Sequence, residues 1–165
     1  MAVKRLLRHL LATRAVTRRR FSASVLQSVE AAITSAEART SGEVRFVVET
    51  ALEPAEVWAG LGARERAMHT FSNLHMWNTE NRNGVLIYVL LADRNVEIVA
   101  DRGAVARIGQ ADWEGVCRLM EGHFAEGRFA DGAVAGVAAV GGLLAKHFPS
   151  RGSNRDELPN QPTLL

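Results

Sequence analysis

Cysteine occurs once in the 165 residues, at Cys117, so the chain can form no internal disulfide and no cysteine-cluster metal site. Nothing here points to an oxidising compartment, and the thiol reads as a small buried hydrophobe. Catalytic signatures are lacking too. There is no Gly-x-Ser-x-Gly elbow, no phosphate-cradling glycine loop and no His-Glu-x-x-His, which disfavours acyl and nucleotide chemistry. His69 and His75 stand six apart, about 240° round a helix, and cannot chelate one ion as an i, i+4 pair does. Trp58, Trp77 and Trp113 are too scattered for a base-stacking platform.

A long hydrophobic run is also missing. Residues 132–145 are uncharged, but four are glycine and five alanine. As a helix they would extend roughly 21 Å, short of the roughly 30 Å hydrocarbon core of a bilayer. They read as a close-packed core helix, and no transmembrane span is expected. Thr17-Arg18-Arg19-Arg20-Phe21 superficially looks like a twin-arginine export motif, yet Gln27, Glu30 and Glu37 interrupt the stretch that follows. The reading is of a cytoplasmic protein, peripheral at most to the inner membrane.

Acidic residues are absent from residues 1–20, which carry Lys4, Arg5, Arg8, Arg14, Arg18, Arg19 and Arg20. With a net charge of +2 for the whole chain, those seven leave −5 on residues 21–165. A basic arm on an acidic body can be a solvated helix face. It can also sit on anionic lipid or nucleic acid, or close on the acidic body of its own or a partner chain. Leu6, Leu7, Leu10, Leu11 and Val16 interleave with the charges and fit an amphipathic helix.

What is present describes an α/β domain. Ser24 and Gln27 make a capping-box-like start, Val25, Val29, Ala32, Ile33 and Ala36 recur at helical spacing, and Gly42 follows as a stop. Residues 43–50 read as a strand. Pro54 suits the first turn of one helix reaching about Leu74, with Val57, Leu61, Met68 and Phe71 on its apolar face. Residues 84–91 are apolar on both faces, the mark of a central strand with helices on each side. Ala92-Asp93-Arg94-Asn95 supplies a turn, residues 96–101 a hairpin partner, and Gly103 its end. Trp113, Val116, Cys117, Met120 and Phe124 form one helical stripe, and Val134, Val137, Leu144 and Phe148 another. Domain boundaries follow: a helical basic arm over 1–20, the α/β domain over 21–149, and a disordered tail over 150–165.

Thr40-Ser41-Gly42-Glu43-Val44-Arg45-Phe46-Val47-Val48, Asn83-Gly84-Val85-Leu86-Ile87-Tyr88-Val89, Asp93-Arg94-Asn95-Val96-Glu97-Ile98 with Gly103, and Phe124-Ala125-Glu126-Gly127-Arg128-Phe129-Ala130-Asp131-Gly132 together resemble the TPM domain family. The chain is most similar to its short bacterial members. The resemblance implies a three-layer α/β/α sandwich with a small mixed β-sheet. Some relatives bind calcium or similar ions in an acidic cleft at a sheet edge, and a plant member is described as an acid phosphatase. Exported members often carry Asp before the Asn-Gly, where this chain has Arg82, and a cation there repels a metal.

The best candidate cluster is Asn78, Glu80, Asn81 and Asn83 before the central strand, with Asp101 and Arg102 after its partner. An antiparallel hairpin brings these groups to one sheet edge. Asn83, Asp101 and Glu80 would be the oxygen ligands of a weakly held calcium or magnesium ion, and Arg82 or Arg102 would take an anion. Turn chemistry accounts for the same residue types without a ligand. Arg18, Arg19 and Arg20 are the arm's candidates for anion or partner binding. The expected function is non-catalytic binding or regulation through a protein partner or membrane-associated complex, with no cofactor required. The alternatives are a divalent-metal-assisted phosphatase using Asn83, Asp101 and Arg102, and nucleic-acid binding through the arm, which the acidic body disfavours.

Overall fold

The computed structural model of the chain describes residues 2–150, 152 and 157–165. Helices α1 (Ala2–Leu11), α2 (Arg14–Arg20) and α3 (Ala23–Glu37) lead into strand β1 (Glu43–Glu49). Helices α4 (Pro54–Trp58) and α5 (Ala63–Asn73) connect it to β2 (Gly84–Leu90), which turns into β3 (Asn95–Ala100). The one-turn α6 (Arg102–Val105), α7 (Gln110–Ala125), α8 (Phe129–His147) and β4 (Thr163–Leu164) complete the order. The sheet runs β3-β2-β1-β4. Strand β1 pairs in parallel with β2 and β4, whereas β2 and β3 are antiparallel, so the sheet is mixed.

Every residue of β2 is buried, as expected of a strand that is apolar on both faces. Val85, Ile87 and Val89 face the larger core under α3, α7 and α8, and Leu86, Tyr88 and Leu90 face the smaller core under α4 and α5. The alternation follows from the two-residue period of a strand, and it yields the three-layer α/β/α sandwich.

Local chemistry corrects several expectations. Helix α3 is capped by Ser22, whose hydroxyl accepts the Val25 N–H, while Ser24 bonds to Ser22 instead. The single helix expected from Pro54 to about Leu74 is two, because Gly60 adopts φ +84° between α4 and α5 and Met68 is left exposed. Gly103 lies inside α6, capped by Asp101, so the strand ends at Ala100, one residue earlier than expected. The basic arm is two helices docked on the body, with Leu6 packed on the smaller core. In the tail read as disordered, residues 151 and 153–156 lie outside the described residues, but the chain from Glu157 onward returns to the sheet. Leu158 is buried and Leu165 N–H bonds Val48 O at 2.8 Å. Short polar segments lack periodicity, so pairing to a strand more than a hundred residues away leaves no local signal.

Helix α8 extends over 19 residues, beyond the uncharged stretch read from the sequence, and by length and composition could cross a bilayer. Its glycines instead bring two helices very close. A Cβ on Gly136 would stand 2.3 Å from Met120 Sδ of α7, and one on Gly141 2.5 Å from Ala36 Cβ of α3. Gly142, one residue on, meets nothing within 4 Å. Gly141→Ala is therefore expected to destabilise the fold by about 1–3 kcal/mol through overpacking. Gly142→Ala should stabilise it by about 0.5–1 kcal/mol through helix propensity. Urea unfolding of the two variants checks this opposition of sign.

Candidate functional site

At the amino end of β2, Asp101 N–H donates to Gly84 O at 2.9 Å, which sets Asn83 and Asp101 at one corner of the sheet. Asn83 is fully buried; its N–H donates to Thr79 Oγ1 at 3.2 Å and its Nδ2 to Ser41 O at 3.1 Å. The loops before β1 and β2 are thus tied together. Asp101 Oδ1 caps α6 by accepting the Arg102 N–H at 2.7 Å. Two side-chain oxygens remain, Asn83 Oδ1 and Asp101 Oδ2, buried and without a hydrogen-bond partner among the described residues. Such orphans normally face a water or an ion.

The other candidates do not complete a ligand set. Glu80, Asn78, Asn81, Arg82 and Arg102 are exposed, and the backbone N–H of Glu80 donates to Glu157 Oε2. Arg82 holds φ 50° and accepts the Gly103 N–H on its carbonyl. No three His, Cys, Asp or Glu side chains gather as metal ligands among the described residues. Two oxygens carrying one formal charge fall short of the six to eight that calcium takes, so they fit only an ion that keeps most of its water.

At the opposite end of the sheet the first helix docks on the β2–β3 turn. Asp93, in the β2–β3 turn, accepts Arg5 Nη2 at 2.7 Å and Arg8 Nη2 at 3.2 Å. His9 is buried and its Nδ1 accepts the Leu52 N–H at 2.9 Å, which leaves the ring proton on Nε2. That nitrogen lies 3.1 Å from Asp93 Oδ1, off the line of a good hydrogen bond. Thr17 and Thr50 hydroxyls bond at 2.8 Å. Burial alone would raise the Asp93 carboxyl, but the hydrogen bonds from Arg5 and the His9 ring close beside it outweigh that and hold the group below its ordinary value. Arg18, Arg19 and Arg20 stay exposed on α2, and Arg20 lies over the Phe129 ring, 4.9 Å from its centroid.

Sequence reasoning missed a buried network beneath α5. Glu49 accepts a two-pronged contact from Arg66 at 2.9 and 2.8 Å and also the Tyr88 hydroxyl. Burial, then Glu49, pushes the Tyr88 hydroxyl strongly up, so it stays a donor. The available signal was Tyr88 itself, a hydroxyl inside a doubly apolar strand that demands a buried acceptor. The Cys117 thiol is pushed up to about 11 by burial and then by Glu97 and Glu121, which removes it as a nucleophile.

A family model described as TPM domain matches residues 17–143. The solution structure of the BA42 protein from the psychrophilic bacterium Bizionia argentinensis is 35% identical, with a TM-score of 0.78 over 87% of this chain and 94% of that one. The amino-terminal domain of the cg2496 protein from Corynebacterium glutamicum shares the fold at 13% identity, with a TM-score of 0.56 over 82% of this chain and 80% of that one. No curated protein matches.

Because Asp93 titrates lower folded than unfolded, its contribution is whole above about pH 4 and fades as the pH falls through the depressed folded value. Asp93→Asn is expected to cost about 1–3 kcal/mol at neutral pH and little in strong acid. Thermal unfolding of both proteins from pH 7 down to pH 2.5 checks the convergence.

Proposed function

The chain belongs to the TPM domain family, and on that premise we propose that it is a non-catalytic binding module that works at a membrane-associated complex, with its amino-terminal helices as the contact surface. The observation that carries this reading is the orientation of α1. Arg5, Arg8 and His9 turn inward onto Asp93, while Val3, Leu7, Leu10 and Leu11 are 62, 52, 56 and 77% exposed. Spaced i, i+4, i+7 and i+8, these four share one outward stripe. A contiguous apolar stripe on a folded surface marks an interaction site.

Lys4 of the same helix and Arg14, Arg18 and Arg19 of α2 are exposed and have no carboxylate partner among the described residues. An apolar stripe on a segment that carries such cations matches the interface of an anionic bilayer, where each near-surface cation adds roughly 1 kcal/mol. Helix α1 lies outside the matched residues 17–143, so this surface is additional to the shared domain. Leu7→Glu with Leu10→Glu should leave the fold intact and weaken sedimentation with phosphatidylserine vesicles, and recovery in the cell membrane fraction, by at least about tenfold. Unchanged association of that double variant would overturn the reading.

The second reading, a divalent-metal-assisted phosphatase, draws on the orphan oxygens of Asn83 and Asp101. The short ligand set supports instead a loosely held ion without turnover. Calcium titration followed by amide shifts is expected to move Asn83 and Asp101 with a Kd of about 1 mM. Asp101→Asn should abolish the response while preserving the cap on α6. Phosphate-ester hydrolysis that disappears in Asp101→Asn would establish the phosphatase in place of the binding module.

A further inference from the structure

A cavity of about 510 Å³ opens at the carboxyl end of β2, between the β2–β3 turn and the junction of α7 with α8. Its apolar lining is Val89 of the strand and Leu91 of the turn, with Phe124 and Phe129, whose rings stack at 5.2 Å. Its cationic lining is Arg20 and Arg94, and neither makes an ion pair or side-chain hydrogen bond among the described residues. A second cavity of about 630 Å³ adjoins it, sharing Arg20 and Phe129 and adding Arg19. Volumes of this size are those of small-molecule sites. In α/β sheets such ligands sit in the crevice beyond the carboxyl ends of parallel strands, and β2 runs parallel to β1.

We infer that this cavity binds a small organic anion, an apolar chain or ring ending in a carboxylate or phosphate, with its body on Phe124 and Phe129 and its head between Arg20 and Arg94. The Arg20 guanidinium lies over the Phe129 ring, a cation–π contact that holds it at the rim while its N–H donors stay free for an oxyanion. Arg94 holds φ 53° in the loop between the paired Leu90 and Asn95, where glycine would be the relaxed choice, and its N–H closes the turn on Leu91 O at 3.1 Å. The one carboxylate of the lining, Glu121, accepts the Val96 N–H at 3.1 Å through one oxygen and pairs with neither arginine, so two cations and one anion leave the lining net positive. An apolar floor with a net cationic rim selects for an amphipathic anion over either a neutral hydrocarbon or a bare ion. This site is independent of the outward stripe of α1.

Octanoate, phenyl phosphate and the neutral 1-octanol serve as probes, titrated into the full chain with amide shifts as the readout. The expected result is saturable movement of Leu91, Arg94, Gly127 and Phe129 by one or both anions, the tighter one naming the head group. Arg20→Gln and Arg94→Gly should each weaken binding at least about tenfold, as the loss of a charge-assisted hydrogen bond requires. Arg94→Gly also relieves the left-handed backbone, so its Tm should equal or exceed the parent's and lost binding cannot be ascribed to misfolding. Three outcomes would overturn the assignment: no saturation by either anion up to ~10 mM, equal binding of 1-octanol, or undiminished binding in both variants.

Discussion

Strand β2 has no side turned to water, and this constraint governs the rest of the molecule. Its seven residues are all buried, so each face must be roofed by helices and each edge paired. The one hydroxyl within it, on Tyr88, cannot reach solvent and is met by Glu49 of the neighbouring strand. A carboxylate buried for that purpose needs a counter-charge, which Arg66 brings from α5. The position of α5 over the sheet is thus set by a chain of requirements that begins with one polar atom in the central strand.

The same logic explains which parts of the fold were legible in the sequence. Residues 84–91, the hairpin after them and the stripes of α7 and α8 were readable because periodicity is local and their apolar faces are complete. Strand β1 was found, but its second face was not understood. Glu43, Arg45 and Glu49 point into the layer of α4 and α5 and are nonetheless buried. Arg45 donates to Pro159 O and Thr163 Oγ1, and Glu43 accepts the Glu157 and Leu158 N–H groups. Those partners lie in the segment that looked structureless, so the polar face of β1 and the polar tail are two halves of one arrangement that neither reveals alone. The convergence of Asn83 and Asp101 could be anticipated from hairpin geometry, whereas the parts played there by Ser41 and Thr79 depend on loops that only the folded chain brings together.

The amino-terminal segment shows the limit of charge counting. Seven basic residues without an acid announce an electrostatic partner, but not that the partner of two of them is Asp93 of the same chain. Once Arg5, Arg8 and His9 are committed inward, the periodicity of α1 compels its leucines outward, and a helix read as cationic presents an apolar surface. The two ends of the sheet consequently differ in kind. One is tied to the amino-terminal helices by ion pairs and opens beside them into the cavity of Arg20 and Arg94, and the other is a polar corner with unspent oxygens.

Strand β4 is short, but among the described elements it comes after the eight helices and the other three strands, and it pairs with β1. A nascent polypeptide therefore leaves the outer edge of β1 bare throughout synthesis, until residues 163–164 have cleared the ribosome. A message truncated just before that point would encode the described helices and three of the described strands, yet would release a chain with an open edge rich in valine. Such edges template pairing with other chains. A two-residue pairing thus acts as a seal against self-association, and a substitution that broke it would be read by the cell as an aggregation defect.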